Sequence, residues 1–264
     1  MLLENRSAVI YGGGGSVGAA VARSFAREGA RVFLAGRSLA SLDRVAAEIA
    51  AEGGIAETDA VDAVDEDAVR AHADAVAERA GGIDVSFNAI GHGDVHGIPL
   101  LDMPYEDFFR PVSTALRSLF LTARAAARHM VDRESGVIMT IIATTARHAI
   151  PKVGGTGVAF DAIEGLCRQW ASELGPSGVR VVWLLTTGIE DAISTSVERF
   201  PDYGEGSGGM TRTELIAWLE GRTMLRRLTS LEDVANAAAF LASDRAAAIT
   251  ASAVNLTTGS VPTR

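Results

Sequence analysis

Residues 9–18 read VIYGGGGSVG, an apolar run that breaks into glycines and then takes on helical spacing. The run predicts a buried strand over 8–11, and from Val17 apolar residues recur every three or four positions, as on one face of a helix. A strand, a glycine turn and a helix N-terminus form an anion site, because free backbone N–H groups point out along the positive end of the helix dipole. A second strand is expected over 31–35, where a nucleotide-binding unit needs it. The stretch therefore predicts a dinucleotide site, with an ordinary flexible loop as the alternative.

Apolar runs and helical patterns alternate along the rest of the chain. Further strands are expected over 55–63, 83–90, 137–143, 179–185 and 253–257, the first of these being less hydrophobic and nearer an edge. Pro104 is expected to start a short helix, and a longer helix follows Pro111. Strands that are apolar throughout and alternate with helices predict a parallel sheet covered on both faces. The fold class is therefore α/β, a doubly wound parallel sheet (Rossmann fold) with its ligand crevice at the carboxyl ends of the strands.

The domain organisation is expected to be simple. Residues 1–264 show neither an internal repeat nor an interdomain linker, so we expect a single dinucleotide-binding domain. The irregular part is 190–222, where glycines at 204–209 lie between two short helical patterns. Such a segment suits a lid over a substrate site, and a disordered surface insertion is the alternative.

Charge and cysteine content restrict the classes of partner. A net charge of −9 and a pI near 5.1 argue against nucleic acid, which needs a basic face, and against a membrane-surface role. Cys167 is the single cysteine, which excludes a disulfide framework and a multi-thiolate metal site. No apolar run reaches membrane-spanning length and the first residues show no secretory signal, so a cytoplasmic protein is expected.

Several short motifs, in their order and spacing, resemble the short-chain dehydrogenase/reductase family over nearly the whole chain. They are the glycine turn at 12–18, Asp62, DVSFNAIG at 84–91, GVI at 136–138, EGL at 164–166, ELGP at 173–176, VRV at 179–181 and FLASDR at 240–245. The resemblance implies an oxidoreductase that transfers a hydride between a nicotinamide cofactor and a small molecule. It also implies a homo-oligomer, a dimer or tetramer, that packs through helices near 111–133 and 157–174 and through the C-terminal segment.

In that family the glycine turn reads Gly-x-x-x-Gly-x-Gly. Gly12 and Gly18 match it, and Ser16 takes the middle place, where its hydroxyl is compatible with a phosphate contact. The resemblance further implies that Asp62 meets the adenine and that the residues after the fourth strand flank the ribose. The residues expected to bind the cofactor are Gly12, Gly14, Ser16, Val17, Gly18, Arg37, Asp62, Asn88, Ala89 and Gly91.

The choice between NAD and NADP is expected to depend on the end of the second strand, which reads LAGRS at 34–38. NAD-binding members place a carboxylate there to accept hydrogen bonds from the ribose hydroxyls. This chain has Gly36 in that place, and Arg37 follows it. A guanidinium can bind a 2′-phosphate and stack on adenine, whereas a carboxylate would repel it. NADP is therefore the expected cofactor, and the alternatives are NAD or no bound dinucleotide. The competing interpretation of Arg37 is a plain surface residue.

The family's chemistry rests on an asparagine, a serine, a tyrosine and a lysine. Aligned without gaps, these four positions fall on Ala115, Ala143, Thr156 and Phe160. Residues 140–175 contain no tyrosine, so a shifted alignment does not restore the pair. A threonine hydroxyl titrates far above a tyrosine and cannot supply a proton near neutrality. We therefore expect that ordinary carbonyl reduction by the family mechanism does not occur.

Other polar residues follow the strands that border the crevice. They are Thr144, Thr145, His148 and Lys152 after the fifth strand, His92, Asp94 and His96 after the fourth, and Asp161 beside Phe160. His148 is the best candidate for a replacement acid, because histidine titrates near working pH; a solvent-exposed loop histidine is the alternative. Thr144 and Thr156 are the other catalytic candidates. His92 and His96 have a spacing that a plain loop explains equally well, so no metal site is expected.

Three functions stay open at this point. The first is an NADP(H)-dependent oxidoreductase with an unconventional site that acts on an activated substrate, since hydride transfer needs chiefly proximity and orientation. The second is a non-catalytic nucleotide-binding protein, either a sensor or a partner subunit of an active relative. The third is a protein that binds another ligand beneath 190–222.

Overall fold

The computed structural model describes residues 1–194, 197, 200, 201, 203 and 209–262. One sheet contains the strands β1 (Ser7–Tyr11), β2 (Arg31–Gly36), β3 (Ile55–Ala60), β4 (Val85–Asn88), β5 (Gly136–Ala143), β6 (Val179–Thr186) and β7 (Ser252–Leu256). The α-helices are α1 (Ser16–Arg27), α2 (Leu39–Ala51), α3 (Glu66–Ala80), α4 (Tyr105–Val131), α5 (Thr156–Leu174), α6 (Arg212–Glu220) and α7 (Leu231–Ala242). No helix in the described part of the chain is long and apolar enough to cross a membrane.

The strand order is β3-β2-β1-β4-β5-β6-β7, and every neighbouring pair is parallel. The order reverses between β1 and β4, which is the topological switch point where ligands bind in open α/β sheets. The predicted doubly wound sheet is confirmed, and so is the edge position of β3. The segments that follow β4, β5 and β6 all emerge at the same edge of the sheet, next to this switch point.

Each face of the sheet has its own hydrophobic core. Helices α3, α4 and α5 cover one face, and α1, α2 and α7 cover the other. Both cores use many alanines, because small side chains let the helices lie close to the strands. Cys167 is 1% exposed in the first core, and its burial raises the pKa of its thiol to about 12, which fits the expected structural role.

The prediction of two helices around Pro111 is wrong, because α4 runs unbroken from Tyr105 to Val131 with Pro111 inside it. Proline removes one backbone hydrogen bond and strains a helix interior. Pro111 is itself among the buried residues along the face of α4 that contacts the core, and this burial keeps the helix continuous. The strand predicted over 55–63 ends early at Ala60, because the Asp62 side chain accepts a hydrogen bond from Val64 N and starts a turn.

Candidate functional site

The glycine turn joins β1 to α1 where the backbone is too crowded for side chains. Gly12 has a φ of +82°, and a Cβ there would lie 2.5 Å from the carbonyl oxygen of Ala89. A Cβ on Gly18 would lie 2.3 Å from the carbonyl oxygen of Gly12. Gly15 caps α1 without a side-chain hydrogen bond, and Ser16 beside it is exposed. The first-turn N–H groups of α1 therefore present an anion site of the kind that binds phosphate.

A groove of about 480 Å³ extends from this turn along the ends of β2, β3 and β4. It brings together six of the residues expected to bind a cofactor: Gly12, Gly14, Arg37, Asp62, Ala89 and Gly91. Arg37 is exposed, and its side chain forms neither a hydrogen bond nor an ion pair with any residue that the structure describes. The cradle that only glycine permits at Gly12 and Gly18 fits a dinucleotide pyrophosphate.

The remaining expected cofactor residues, Ser16, Val17, Gly18 and Asn88, do not line the groove. Asn88 is buried, and its Nδ2 donates to Thr122 Oγ1 at 3.0 Å, while its Oδ1 accepts from Ile90 N at 3.2 Å. Thr140 Oγ1 donates to the carbonyl oxygen of Asn88 at 3.1 Å. These bonds hold the end of β4 against α4 and β5, so the Asn88 side chain stabilises the backbone next to the groove and does not line the groove itself.

The four positions that the resemblance gives for the family's catalytic residues lie around the start of α5. Ala115 is fully buried on α4, and Ala143 ends β5. Thr156 is the first residue of α5 and is 4% exposed. Phe160 lies one turn further on, and its ring contacts the ring of His92 edge-on at 5.7 Å between centroids. An aromatic contact therefore occupies the place where the resemblance puts a lysine.

Thr156 belongs to a hydrogen-bonded cluster that the sequence did not predict as a unit. Its Oγ1 donates to Asp94 Oδ1 at 3.2 Å, and His96 Nε2 lies 3.0 Å from the same oxygen of Thr156. His96 Nδ1 in turn lies 3.0 Å from the hydroxyl oxygen of Tyr203. We name these four side chains the Tyr203–Asp94 chain. Tyr203 was missed because it lies in the irregular segment 190–222, far from the other three in sequence.

His92 and His96 are neutral near pH 7, because the pKa of each is lowered. Burial lowers the pKa of His96, and the charge of Asp94 only partly opposes this effect. The pKa of His92 is lowered by burial in the same way, again partly opposed by Asp94. Burial, and then the charge of Asp94, raises the pKa of Tyr203, so its hydroxyl keeps its proton. The cluster thus consists of neutral groups that end at one carboxylate.

His148 and Thr144 line a second cavity, of about 370 Å³, between the segment after β5 and α6. His148 is exposed, which agrees with the alternative interpretation, whereas Thr144 is buried and its carbonyl oxygen accepts from the backbone N–H groups of Arg147 and His148. Trp218 of α6 also lines this cavity, and its ring stacks on the ring of Tyr203 at 6.0 Å. The cavity and the Tyr203–Asp94 chain are therefore neighbours.

The segment 190–222 is described in part. Its α6, a short 3₁₀ turn at Glu190–Ala192 and Tyr203 are seen, and most of the glycine-rich stretch lies outside the described residues. Within the described ranges, no group of three or more histidine, cysteine, aspartate or glutamate side chains is placed to hold a metal ion.

Comparison with known proteins gives matches over nearly the whole chain. Residues 13–260 match the family model described as Enoyl-(Acyl carrier protein) reductase. L-rhamnose 1-dehydrogenase (NAD(P)(+)) of Azotobacter vinelandii is 33% identical over 260 residues, which cover 95% of this chain and 94% of that protein. Gluconate 5-dehydrogenase of Gluconobacter oxydans is 29% identical over 241 residues, which cover 91% of this chain and 89% of that protein. A solved short-chain type dehydrogenase/reductase from Mycobacterium marinum is 30% identical, with a TM-score of 0.83 over 98% of this chain and 96% of that one.

Proposed function

The chain belongs to the short-chain dehydrogenase/reductase family and is an oxidoreductase that uses a nicotinamide dinucleotide, and we propose that this dinucleotide is NADP(H). The observation that carries the proposal is Arg37, whose guanidinium borders the groove without a carboxylate partner among the described residues. Gly36 precedes it, so the end of β2 offers no acid to the ribose. A guanidinium binds a phosphate through two parallel charge-assisted hydrogen bonds, and this geometry suits the 2′-phosphate.

The test is calorimetric titration of the protein and of Arg37→Ala with NADPH and with NADH. Loss of one charge-assisted contact of about 1.5–3 kcal/mol predicts that NADPH binds roughly 10- to 150-fold more weakly to the variant, while NADH binding changes little. Arg44→Ala is the matched control, because Arg44 is an exposed arginine of α2 that does not line the groove. Tighter binding of NADH than of NADPH by the unmodified protein would reject the proposal.

We propose further that hydride transfer in this protein proceeds without the family's four catalytic residues. A nicotinamide dinucleotide would supply or accept the hydride when bound, and the chain would position the substrate and transfer its proton. The apolar contact of Phe160 with His92, and the engagement of Thr156 with Asp94, support a proton path that differs from the tyrosine and lysine of the family. His148, Thr144 and Thr156 stay candidates for contact with the substrate.

The substrate is proposed to be a small polar molecule. Two of the relatives are named for rhamnose and gluconate, and the cavity lined by Thr144, His148 and Thr187 offers hydroxyl and imidazole groups to such a molecule. A panel of L-rhamnose, gluconate, a cyclic imine and a conjugated enone, assayed with both cofactors, tests the reaction class. Tight NADPH binding with no turnover of any probe would instead support a non-catalytic sensor or partner subunit.

We also propose that the protein forms a homo-oligomer through α4 and α5 and acts in the cytoplasm. Phe120 on α4 is 40% exposed, and its ring lies 5.5 Å from that of the half-buried Trp170 on α5, so the two helices share a partly exposed aromatic pair. Exposed aromatic patches of this kind mark protein interfaces. A light-scattering mass of one chain would reject the oligomer.

A further inference from the structure

Four side chains from three separate segments form an unbroken hydrogen-bonded chain beside the substrate cavity. Tyr203 comes from the segment after β6, His96 and Asp94 from the segment after β4, and Thr156 from the start of α5. The three successive distances are 3.0, 3.0 and 3.2 Å. Asp94 is exposed, so one end of the Tyr203–Asp94 chain reaches water.

In the Tyr203–Asp94 chain, the available donors determine which atom donates in each hydrogen bond. The Asp94 carboxylate can only accept, so the single hydroxyl proton of Thr156 points to it. Thr156 Oγ1 therefore accepts from His96 Nε2, which must carry a proton. His96 is neutral, so its Nδ1 carries none and accepts from the Tyr203 hydroxyl. All the protons thus point from Tyr203 towards Asp94.

The Tyr203 end lies next to Trp218, a residue that lines the proposed substrate cavity. The Tyr203 ring stacks on Trp218 at 6.0 Å, and Trp218 lines the cavity that also holds Thr144 and His148. The hydroxyl of Tyr203 uses its only proton on His96, so its lone pairs are available to accept a proton from a bound alcohol. The guanidinium of Arg222, which also lines that cavity, lies 4.2 Å from the centre of the Trp218 ring and holds this aromatic stack in place.

We propose that Tyr203 is the catalytic base for oxidation of an alcohol, and that His96, Thr156 and Asp94 are positioning residues that carry the proton to water. The inference rests on the proposed function, because it needs a nicotinamide dinucleotide as the two-electron oxidant. It goes beyond the proposed function by naming the base and the proton path.

Atoms and electrons balance when the substrate is a secondary alcohol. The carbon–hydrogen bond breaks and its hydride leaves to NADP⁺, while the alcohol oxygen–hydrogen bond breaks and its proton passes to Tyr203 Oη as the carbonyl forms. The Tyr203 proton moves to His96 Nδ1, the His96 Nε2 proton moves to Thr156 Oγ1, and the Thr156 proton moves to Asp94. Asp94 then releases it to water, so one proton and one hydride leave the alcohol.

The first test uses the protein without cofactor and measures the ¹⁵N chemical shifts of His96. The expected result is a neutral ring protonated at Nε2, since the unprotonated nitrogen resonates far from the protonated one. Thr156→Val removes the acceptor of the Nε2 proton and is expected to reduce this tautomer preference, whereas Thr156→Ser retains it. An Nδ1-protonated ring, or a charged ring at pH 7, overturns the inference whatever the activity.

The second test follows NADP⁺ reduction with L-rhamnose or gluconate, whichever is oxidised. Loss of general base catalysis predicts that Tyr203→Phe and His96→Gln lower kcat about 10²- to 10⁴-fold. Thr156→Val and Asp94→Asn are expected to lower kcat with little change in KM and to change the solvent deuterium isotope effect on kcat, because fewer protons then move together. Thr156→Ser is expected to retain the kcat and the isotope effect of the unmodified protein. His129→Gln is the matched control, because His129 on α4 pairs with Asp74 on α3 at 2.9 Å, outside the site.

The outcomes separate the two proposals. Turnover by the unmodified protein that persists in Tyr203→Phe overturns the proton path and leaves the oxidoreductase in place. Failure of every probe to reduce NADP⁺, together with absence of NADPH binding, overturns the proposed function and this inference with it. A lower kcat in the four variants of the Tyr203–Asp94 chain, together with an unchanged kcat in His129→Gln, supports both proposals.

Discussion

Two tyrosine–histidine pairs in this protein have nearly the same ring geometry but differ in the groups that lie beyond the histidine. The rings of Tyr11 and His72 meet edge-on at 5.7 Å and 75°, and those of Tyr203 and His96 at 5.8 Å and 77°. The Tyr11 hydroxyl lies 3.4 Å from His72 Nδ1, whereas the Tyr203 hydroxyl lies 3.0 Å from His96 Nδ1. Ring packing alone therefore does not distinguish the two pairs.

The difference lies on the far side of each imidazole. His72 Nε2 is buried without a hydrogen-bond partner among the described residues, and Asp59 Oδ2 at 3.5 Å lies outside hydrogen-bond geometry. His96 Nε2 instead meets Thr156, which meets the exposed Asp94. Among the described residues, only the second pair is therefore linked by unbroken hydrogen bonds to a carboxylate that is exposed to water, as a proton path requires. The first pair is a packing unit of the core.

The largest difference between the pairs is expected in stability when each tyrosine is truncated. Tyr11 is 1% exposed and packs in the core, so Tyr11→Ala is expected to lower the free energy of unfolding by about 3–5 kcal/mol. Tyr203 is only half-buried, so Tyr203→Ala should lower it by less than about 1 kcal/mol. Urea denaturation followed by circular dichroism measures both values.

Tyr11→Phe is the control for this experiment, because it keeps the ring and removes only the hydroxyl. It should lower the free energy of unfolding by about 1 kcal/mol, the usual net value of one hydrogen bond. Equal losses in Tyr11→Ala and Tyr203→Ala would contradict the assignment of the two pairs to different roles.

The next effect, of intermediate size, is the dependence of stability on pH. Burial lowers the pKa of His72; the charge of Asp59 partly opposes this, and that of Arg79 adds to it. The folded state therefore holds His72 neutral while the unfolded state binds a proton below about pH 6.5. Stability is present above that pH and falls as the pH falls, by at most about 1.4 kcal/mol per pH unit.

Denaturation of the protein and of His72→Gln between pH 7.5 and 5.5 measures this effect, since carboxylates of ordinary pKa stay ionised in that range. His92 and His96 also have lowered pKa values and contribute with the same sign, so the difference between the two proteins isolates His72. An identical pH slope in His72→Gln would mean that the pKa of His72 does not differ between the folded and unfolded states, which would contradict the expected lowering.

The fold was largely predictable because its signals are local. Continuous apolar runs predicted the buried parallel strands, and the glycine turn of 12–18 predicted the junction of β1 with α1. Pro111 misled the prediction, since proline acts locally while the burial that keeps α4 continuous involves contacts distant in sequence. Arg37 and Asp62 were predicted to meet at one groove, and strand order alone brings them together there.

The candidate site was predictable only in pieces. Asp94 and His96 were named because polar residues after buried strands collect at the carboxyl edge of a parallel sheet, and Thr156 was named because the resemblance puts the family's tyrosine position there. Their partner Tyr203 was not, since a hydrogen bond between side chains of two irregular segments has no periodicity to reveal it. His148 was preferred because histidine titrates near working pH and because the resemblance places its loop at the substrate, and its exposure became visible only with the fold.

The smallest effect on the free energy of unfolding is expected at His129, a partly exposed histidine that serves as a reference for the buried ones. His129 Nε2 lies 2.9 Å from Asp74 Oδ1, and the two side chains are 27% and 59% exposed. An exposed pair of this kind contributes little, so His129→Gln should change the free energy of unfolding by less than about 0.5 kcal/mol, and less still in about 0.5 M salt. Denaturation at low and high salt measures it. A change as large as that of His72→Gln would contradict this expectation. It would mean that proximity to a carboxylate, and not burial, determines how much a histidine side chain contributes to the free energy of unfolding.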